Sequence, residues 1–399
     1  MYVSDLALND FRSYEELVLA LDPGVSTFVG RNGQGKTNLV EAVGYLSTFS
    51  SHRVAADTAL VRQGASAAVV RVKVQRDGRS SLVELEIVAG KANRARLNRA
   101  PVTRTRDVLG VLRSVLFAPE DLELVRGDPG ARRKFLDDLM VMRSPRLGGV
   151  RQEYEKVLRQ RGALLKSAGA VRRRGGQPDL STLDVWDGHL AAAGAEIVAA
   201  RTQVVRELRP YVAEAYEQVS DGAGGARTSY RSSLDLAEGE PAPSATEDAD
   251  VTETRELALL DVPVLRERMV AAMSELRPKE VDRGVSLVGP HRDDLVLSLG
   301  SLPARGFASH GESWSFALAL RLGSYQMLRA EGGPDGDGGE PVLILDDVFA
   351  ELDARRRERL AGMVGDAEQV LITAAVPQDV PPALLGTRFT VDSGRVERA

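Results

Sequence analysis

Gly30-Arg31-Asn32-Gly33-Gln34-Gly35-Lys36-Thr37 fits the phosphate-loop pattern G-x-x-x-x-G-K-[ST]. The short apolar run Val25–Val29 before it predicts a strand, and the spacing of Leu39, Val43 and Leu46 predicts a helix over Asn38–Leu46. Strand, glycine-rich turn and helix are the context such a loop needs. Its glycines let backbone N–H groups wrap phosphates, and the helix start adds a favourable dipole. Lys36 brings a positive charge to the β- and γ-phosphates, and the Thr37 hydroxyl is a ligand for Mg²⁺. The expectation is ATP binding, with Gly30, Arg31, Asn32, Gly33, Gln34, Gly35, Lys36 and Thr37 forming the cradle.

Far downstream, Val342-Leu343-Ile344-Leu345 is a continuous apolar run that ends in Asp346-Asp347. Parallel strands buried on both faces read this way, and their carboxyl ends face the ligand crevice. Asp346 is the candidate for Mg²⁺, directly or through water, and Asp347 the candidate to position or deprotonate an attacking water. Lys36, Asp346 and Asp347 are thus the expected catalytic set, with Thr37 and Asp346 holding the metal. Lys36 and Asp346 stand 310 positions apart, so a large insertion must separate two halves of one nucleotide site.

The intervening sequence supports this. Tyr2–Leu8, Val69–Val74 and Leu82–Val88 alternate as strands, the last two joined by Arg76-Asp77-Gly78. After the breaker Gly127-Asp128-Pro129-Gly130 the pattern turns helical. Leu190, Ile197, Val204 and Tyr211 recur every seven residues, which predicts paired antiparallel helices, and Ala168–Asp179 reads as an exposed tip between them. Gly222–Gly225 ends that run, and Glu238–Glu256 reads as a flexible acidic loop. An α/β pattern then returns: strands at Val285–Val288 and Leu295–Leu299, a helix over Trp314–Arg329, a loop at Gly332–Gly339, and strands at Val342–Leu345 and Gln369–Thr373. The expected division is an α/β head from 1–125 and 280–399, with a helical arm at 126–279.

Composition bounds the function. Of 399 residues, 43% are hydrophobic, 27% are charged, none is cysteine and four are histidine. That excludes disulfides, thiolate metal sites and a cysteine nucleophile, and it argues against a multi-histidine metal centre. The acidic start of the chain lacks the pattern of a secretory signal, and no apolar stretch is long enough to span a bilayer. The expected location is the cytoplasm. The net charge of −5 hides an uneven distribution: residues 126–174 carry 14 Lys/Arg against 5 Asp/Glu. A basic stretch of that kind can hold a polyanion. No aromatic-rich stacking platform accompanies its arginines, so backbone reading of duplex or of a duplex–gap junction suits it better than stacking on single strands. Arg132, Arg133, Arg151, Arg159, Arg161, Arg172, Arg173 and Arg174 are the expected DNA contacts. His291-Arg292 is open between such a contact and a structural role beside Asp293 and Asp294.

Ser309-His310-Gly311-Glu312-Ser313, the third motif, precedes the helix at Trp314 and reads either as an anion site able to reach the phosphates of a second subunit or as a plain N-cap by Ser309 or Ser313. The order of P-loop, Ser-x-Gly-Glu, apolar strand with Asp346-Asp347, then Glu351-Leu352-Asp353 resembles the ABC-type, Rad50-like ATPases of chromosome maintenance. Within them the chain is similar to the RecF family of bacterial recombination-repair ATPases. Asn9-Asp10-Phe11-Arg12-Ser13-Tyr14, Phe117-Ala118-Pro119-Glu120-Asp121-Leu122, Gly127-Asp128-Pro129 with Arg132-Arg133, Phe135-Leu136-Asp137 and Gly289-Pro290-His291-Arg292-Asp293-Asp294 carry that likeness over essentially the whole chain.

The resemblance implies a Rad50-like head without the long coiled coil, and an ATP-dependent homodimer closing over two ATP molecules and DNA. It implies that Ser309, Gly311 and Glu312 meet the partner's γ-phosphate, that Asp353 lies at the dimer seam, and that Arg12 and Ser13 lie near the nucleotide phosphates. It also implies a role in repair of gapped DNA, replication restart and SOS induction, with RecO and RecR as partners in loading RecA. The contrasting class is an NTP-driven motor or a transporter-type ATPase. Three departures stand out. The signature carries Glu312 where glutamine is usual, and a carboxylate there repels phosphate unless it bonds backbone N–H groups or the ribose. Asp347 stands where transporter ATPases have glutamate and reaches about 1.5 Å less; misplacement of ~1 Å can cost ~100-fold, so hydrolysis is expected to be slow, a weak DNA-stimulated ATPase. The strand ending Ile372-Thr373-Ala374 has no histidine, so Thr373 is the expected γ-phosphate sensor.

Overall fold

Val342–Asp346 and Gln369–Ala374 are buried at every residue in the computed structural model, as strands covered on both faces must be. They form the centre of a six-stranded sheet. Its order is Arg395–Arg398, Thr387–Asp392, Gly24–Val29, Gln369–Ala374, Val342–Asp346 and Ser114–Phe117, parallel except for the antiparallel Arg395–Arg398 edge. Residues 1–54, 56–220, 224–240, 242–332 and 339–399 are described. The expected loop at Gly332–Gly339 and breaker at Gly222–Gly225 lie partly outside them.

A second six-stranded sheet is antiparallel throughout, in the order Tyr14–Ala20, Tyr2–Phe11, Ala67–Arg76, Arg79–Val88, Arg94–Leu97 and Ala100–Pro101. Ala68, Val70, Val72 and Val74 all point to its buried face, as a period of two requires. Asp77 and Gly78, both with positive φ, close the tight turn between Arg76 and Arg79. The helix Lys36–Thr48 that follows the P-loop contributes Leu39, Val43 and Leu46 to one core with Leu6, Leu8 and Val70 of this sheet and Ile344 and Leu371 of the parallel one. Each such aliphatic side chain stabilises the fold by about 1.5–3 kcal/mol. The P-loop is therefore held from below by the best-buried part of the head.

The chain divides into two compact units, and the division differs from the sequence expectation. The first comprises Met1–Glu123, Tyr211–Gly224 and Gly311–Ala399; the second comprises Leu124–Pro210 and Gly225–His310. The helix Leu183–Val219 continues past Pro210, and its last turns belong to the first unit. There Tyr216 meets Phe316 edge-on at 5.6 Å, and Arg359 donates to the Val219 carbonyl at 3.1 Å. The seven-residue stripe runs through Pro210 without interruption, so nothing in it marks the boundary. Residues 280–310 fall in the second unit because Asp294–Leu299 pairs with Ala226–Arg231.

The second unit is built on the helices Leu147–Arg173, Leu183–Pro210 and Val262–Arg283. Leu190, Ile197 and Val204 are buried as their spacing predicts, and Tyr211 is half-buried. Two expectations fail here. Val285–Val288 is not a strand, because side chains take its backbone groups: Leu287 N donates to Glu280 Oε1, and the Ser286 carbonyl accepts from Arg292 Nε. The acidic segment Glu238–Glu256 is not all loop, since Ala249–Leu257 is helical. Asp248 caps that helix and Glu247 binds Arg255. Glu256 is buried, accepting from Arg209 and from Tyr230 N. Pairing with arginines removes the self-repulsion that would keep such a run unfolded.

Arg161 is fully buried, donating to Asp187, Ser286 and Glu280 at 2.6–2.7 Å. Arg132 is buried in a two-pronged pair with Asp294 at 2.7 and 3.0 Å. Neither can track DNA phosphates, which corrects both assignments: each neutralises carboxylates buried in the core. His291 is structural as well. Its Nε2–H donates to the Ser286 carbonyl, so its Nδ1 accepts from Tyr154 Oη at 2.7 Å.

Burial holds the His291 imidazole down at about 4. The unfolded chain therefore binds a proton there between pH 6.5 and about 4 that the folded unit resists, and stability falls as pH drops through that window. His291→Gln should lose less stability than the wild type between pH 7 and pH 4, measured by urea unfolding at each pH.

Candidate nucleotide site

The strand order puts Gln369–Ala374 between the P-loop strand and Val342–Asp346, and the register sets Asp346 beside Thr373 and Thr373 beside Phe28. All three strands end on the side where the P-loop begins. Across this edge the two distant motifs meet: Thr37 Oγ1 donates to Asp346 Oδ1 at 3.0 Å. The chain of 310 positions between Lys36 and Asp346 closes on one hydrogen bond.

The loop itself is shaped by neighbours the motif does not name. Gly35 has φ +110, and a Cβ there would lie 2.9 Å from Tyr14 Oη and 3.0 Å from Ser13 Oγ. Tyr14 Oη donates to the Gly35 carbonyl at 3.1 Å, and burial raises its phenol above the ordinary range. Ser13 Oγ accepts from Asn38 Nδ2 at 2.9 Å. Gln34 Oε1 accepts from Ser393 N at 2.6 Å, so the strand Thr387–Asp392 and its turn brace the loop's middle. Lys36 is buried, its Nζ 3.4 Å from the Arg31 carbonyl and from Asn32 Oδ1. Arg31, Asn32 and Gly33 are exposed at the rim.

Two expected phosphate contacts are given other work. Arg12 Nε and Nη2 bind Glu41 at 2.8 and 2.6 Å, and its Nη1 binds the Ala59 carbonyl at 3.0 Å. Its guanidinium thus offsets a carboxylate buried in the P-loop helix. Thr373 Oγ1 donates to Asp346 Oδ1 at 2.6 Å and accepts from Asp347 N at 2.9 Å. A hydroxyl has one proton to give, and Asp346 takes it, so Thr373 is an anchor for the two acids rather than a phosphate sensor.

Asp347 sits at φ +51, an uncommon conformation for a residue with a Cβ. Its carboxyl is raised above the ordinary range, first by burial, with Lys36 opposing and Asp346 adding to the shift. Thr37 Oγ1 and Asp346 Oδ1 are two hard oxygen donors 3.0 Å apart, a donor set that fits Mg²⁺. Bound there, the ion would neutralise charge on the terminal phosphates.

The signature divides between the units: Ser309 and His310 end the second, and Gly311 begins the last segment of the first. Its helix runs His310–Glu331, and Ser309 and Glu312 are exposed. A Cβ on Gly311 would lie 2.8 Å from Arg356 Nη2. Arg356 Nε also donates to Ser315 Oγ at 3.1 Å, and Arg356 Nη1 pairs with Asp353, which caps the helix Ala354–Val364. Arg356 thus ties the signature to the Glu-Leu-Asp segment. Its place in an arginine-rich helix gave no signal of this.

A parallel sheet with a P-loop, an Asp346 completing it from two strands away, and a signature helix on the same chain define an ABC-type ATPase head. The chain matches the family described as RecF/RecN/SMC N terminal domain over residues 2–383. It is 63% identical to the DNA replication and repair protein RecF of Beutenbergia cavernae over 401 residues and 57% identical to that of Streptomyces avermitilis over 399, covering all of each chain. The chain belongs to the RecF family. It is also similar to a solved structure of the recombination mediator protein RecF with ATPrS in the RecFOR pathway, at a TM-score of 0.83 and 25% identity, over 100% of this chain and 98% of that one. An Smc head bound to the C-terminal winged helix domain of ScpA has the same fold at a TM-score of 0.52 and 14% identity, over 100% of this chain and 97% of that one.

Thr373→Val should destabilise the head by about 1–3 kcal/mol, because it leaves a buried carboxylate oxygen short of a donor and the Asp347 N–H without its acceptor. Urea unfolding without nucleotide measures this.

Proposed function

We propose that this chain is an ATP-dependent DNA-binding protein of recombinational repair that works as a dimeric clamp. The observation that carries the reading is the Thr37–Asp346 hydrogen bond, which joins P-loop and acidic strand into one nucleotide site. Lys36 and the loop's N–H groups bind the phosphates of ATP. Thr37 and Asp346 hold Mg²⁺. Ser309, Gly311 and Glu312 act on the γ-phosphate held by a second copy, so ATP fastens two heads together. Asp347 positions the attacking water. Its short side chain makes turnover slow, a weak DNA-stimulated ATPase used as a switch.

The closed dimer grips duplex or a duplex–gap junction, with single strand possible. Among the candidate arginines, Arg159, Arg172, Arg173 and Arg174 are exposed along and beyond the helix Leu147–Arg173. Arg133 gives one donor to the Asp293 carbonyl at 3.0 Å, and Arg151 lies 3.5 Å from Glu155. The exposed group at residues 172–174 is the main electrostatic contact. Repair of gapped DNA, replication restart and SOS induction in the cytoplasm follow from the family likeness, as does loading of RecA with RecO and RecR. No described helix is long and apolar enough to cross a membrane.

In sedimentation, the wild type should dimerise with ATP or a non-hydrolysable analogue and remain monomeric with ADP; a monomer in every state overturns the clamp. Lys36→Met should abolish nucleotide binding, whereas Ser309→Arg should keep it and lose the dimer. Replacing Arg172, Arg173 and Arg174 together by glutamine should weaken duplex binding and flatten the dependence of log affinity on log salt by about 2–3, near 0.9 for each lost phosphate contact. An unchanged slope removes this tip from the DNA surface.

A further inference from the structure

Asp346 is held on one side only by the groups described so far. Its Oδ1 accepts from both Thr37 and Thr373. The polar group facing its other oxygen is His52, with Nε2 3.6 Å from Asp346 Oδ2. His52 Nε2 is buried and makes no hydrogen bond. A buried ring nitrogen without a partner calls for an explanation. The gap to Oδ2 is just beyond hydrogen-bond length.

The loop that carries His52 is fixed on both sides of it. Ser51 Oγ donates to Glu41 Oε1 at 2.6 Å and accepts from Arg53 N and Val54 N at 3.0 and 3.1 Å. Arg53 Nη1 donates to Asn38 Oδ1 at 3.0 Å. Glu41 is itself gripped by Arg12. Arg12, Glu41 and Ser51 therefore form a chain of bonds from the N-terminal sheet to the loop that carries the imidazole, and Arg53 pins the same loop to the first turn of the P-loop helix. This explains why Arg12 faces Glu41.

We propose that His52 is a positioning residue for Asp346, donating from Nε2 to Oδ2 when nucleotide and Mg²⁺ occupy the site and so fixing the face that Oδ1 turns to the metal. The inference rests on the nucleotide site proposed above. It gives that site an imidazole from the loop after the P-loop helix, on a strand edge where the sequence has no histidine. A partner of this kind sets ligand orientation, and its loss typically costs 10–100-fold in metal affinity.

The test is titration of Mg²⁺ against a fluorescent ATP analogue at fixed protein. His52→Ala should raise the Mg²⁺ midpoint about tenfold, and His52→Gln, whose amide N–H₂ can donate, should recover most of it. Binding of the analogue without Mg²⁺ should change less than twofold in both. A midpoint within twofold of wild type in His52→Ala overturns the proposal, as does a Gln variant as impaired as the Ala variant. If either variant fails to fold, ¹⁵N-histidine spectra of the wild type decide. The His52 Nε2 resonance should shift on addition of Mg²⁺ and ATP and not of ATP alone, and no shift overturns the proposal. A wild type that binds no ATP overturns the nucleotide reading instead, so the two failures are distinguishable.

Discussion

The hydrogen bond from Thr37 to Asp346 is the constraint on which the head depends. A carboxylate at a strand end and a hydroxyl at a helix start must meet although most of the chain lies between them. The parallel sheet meets this demand by register alone. With Gln369–Ala374 between the two strands, Thr373 falls level with Asp346, and its hydroxyl spans the distance to both acids. Asp347, at positive φ, has its N–H tied back to Thr373. Strain at one residue is tolerated because the surrounding strands are buried throughout.

The same economy governs the P-loop. The glycines supply a backbone able to wrap phosphate, but the shape of the loop is set by contacts from elsewhere: Tyr14 on the Gly35 carbonyl, Gln34 on the Ser393 amide, Asn38 on Ser13. These braces come from the first hairpin and from the last strands of the chain. The site is thus preorganised by both ends of the sequence, and reactive groups that must not move are held by neighbours whose own positions are locked by packing.

Charge in the second unit obeys a different logic. Arginines that look like a phosphate-binding run are divided by burial. Arg132 and Arg161 complete internal ion pairs, whereas Arg159 and Arg172–Arg174 face solvent. Their carboxylate partners, Asp294 and the pair Asp187 and Glu280, come from sequence 26 to 162 positions away. The acidic segment near Ala249–Leu257 is likewise ordered by capping and by arginines of the helix Leu183–Val219. An ion pair of either kind is invisible to a count of local charge.

Local pattern carried a great deal. The P-loop, the apolar strand with its two acids, the alternating hairpin and the seven-residue helical stripe each depend on residues close in sequence, where spacing and side-chain chemistry dictate the element. Those features determined the fold class, the nucleotide chemistry and the existence of an insertion. What tertiary structure alone decided is which groups are already spoken for. Thr373 lost its role as a sensor because its single proton goes to Asp346, Arg12 turned to Glu41, and the boundary moved to Pro210 and His310 because distant partners claimed the residues beyond. Hydrogen-bond capacity is finite and burial is collective, so the use of a polar side chain is settled only when the whole chain has folded around it.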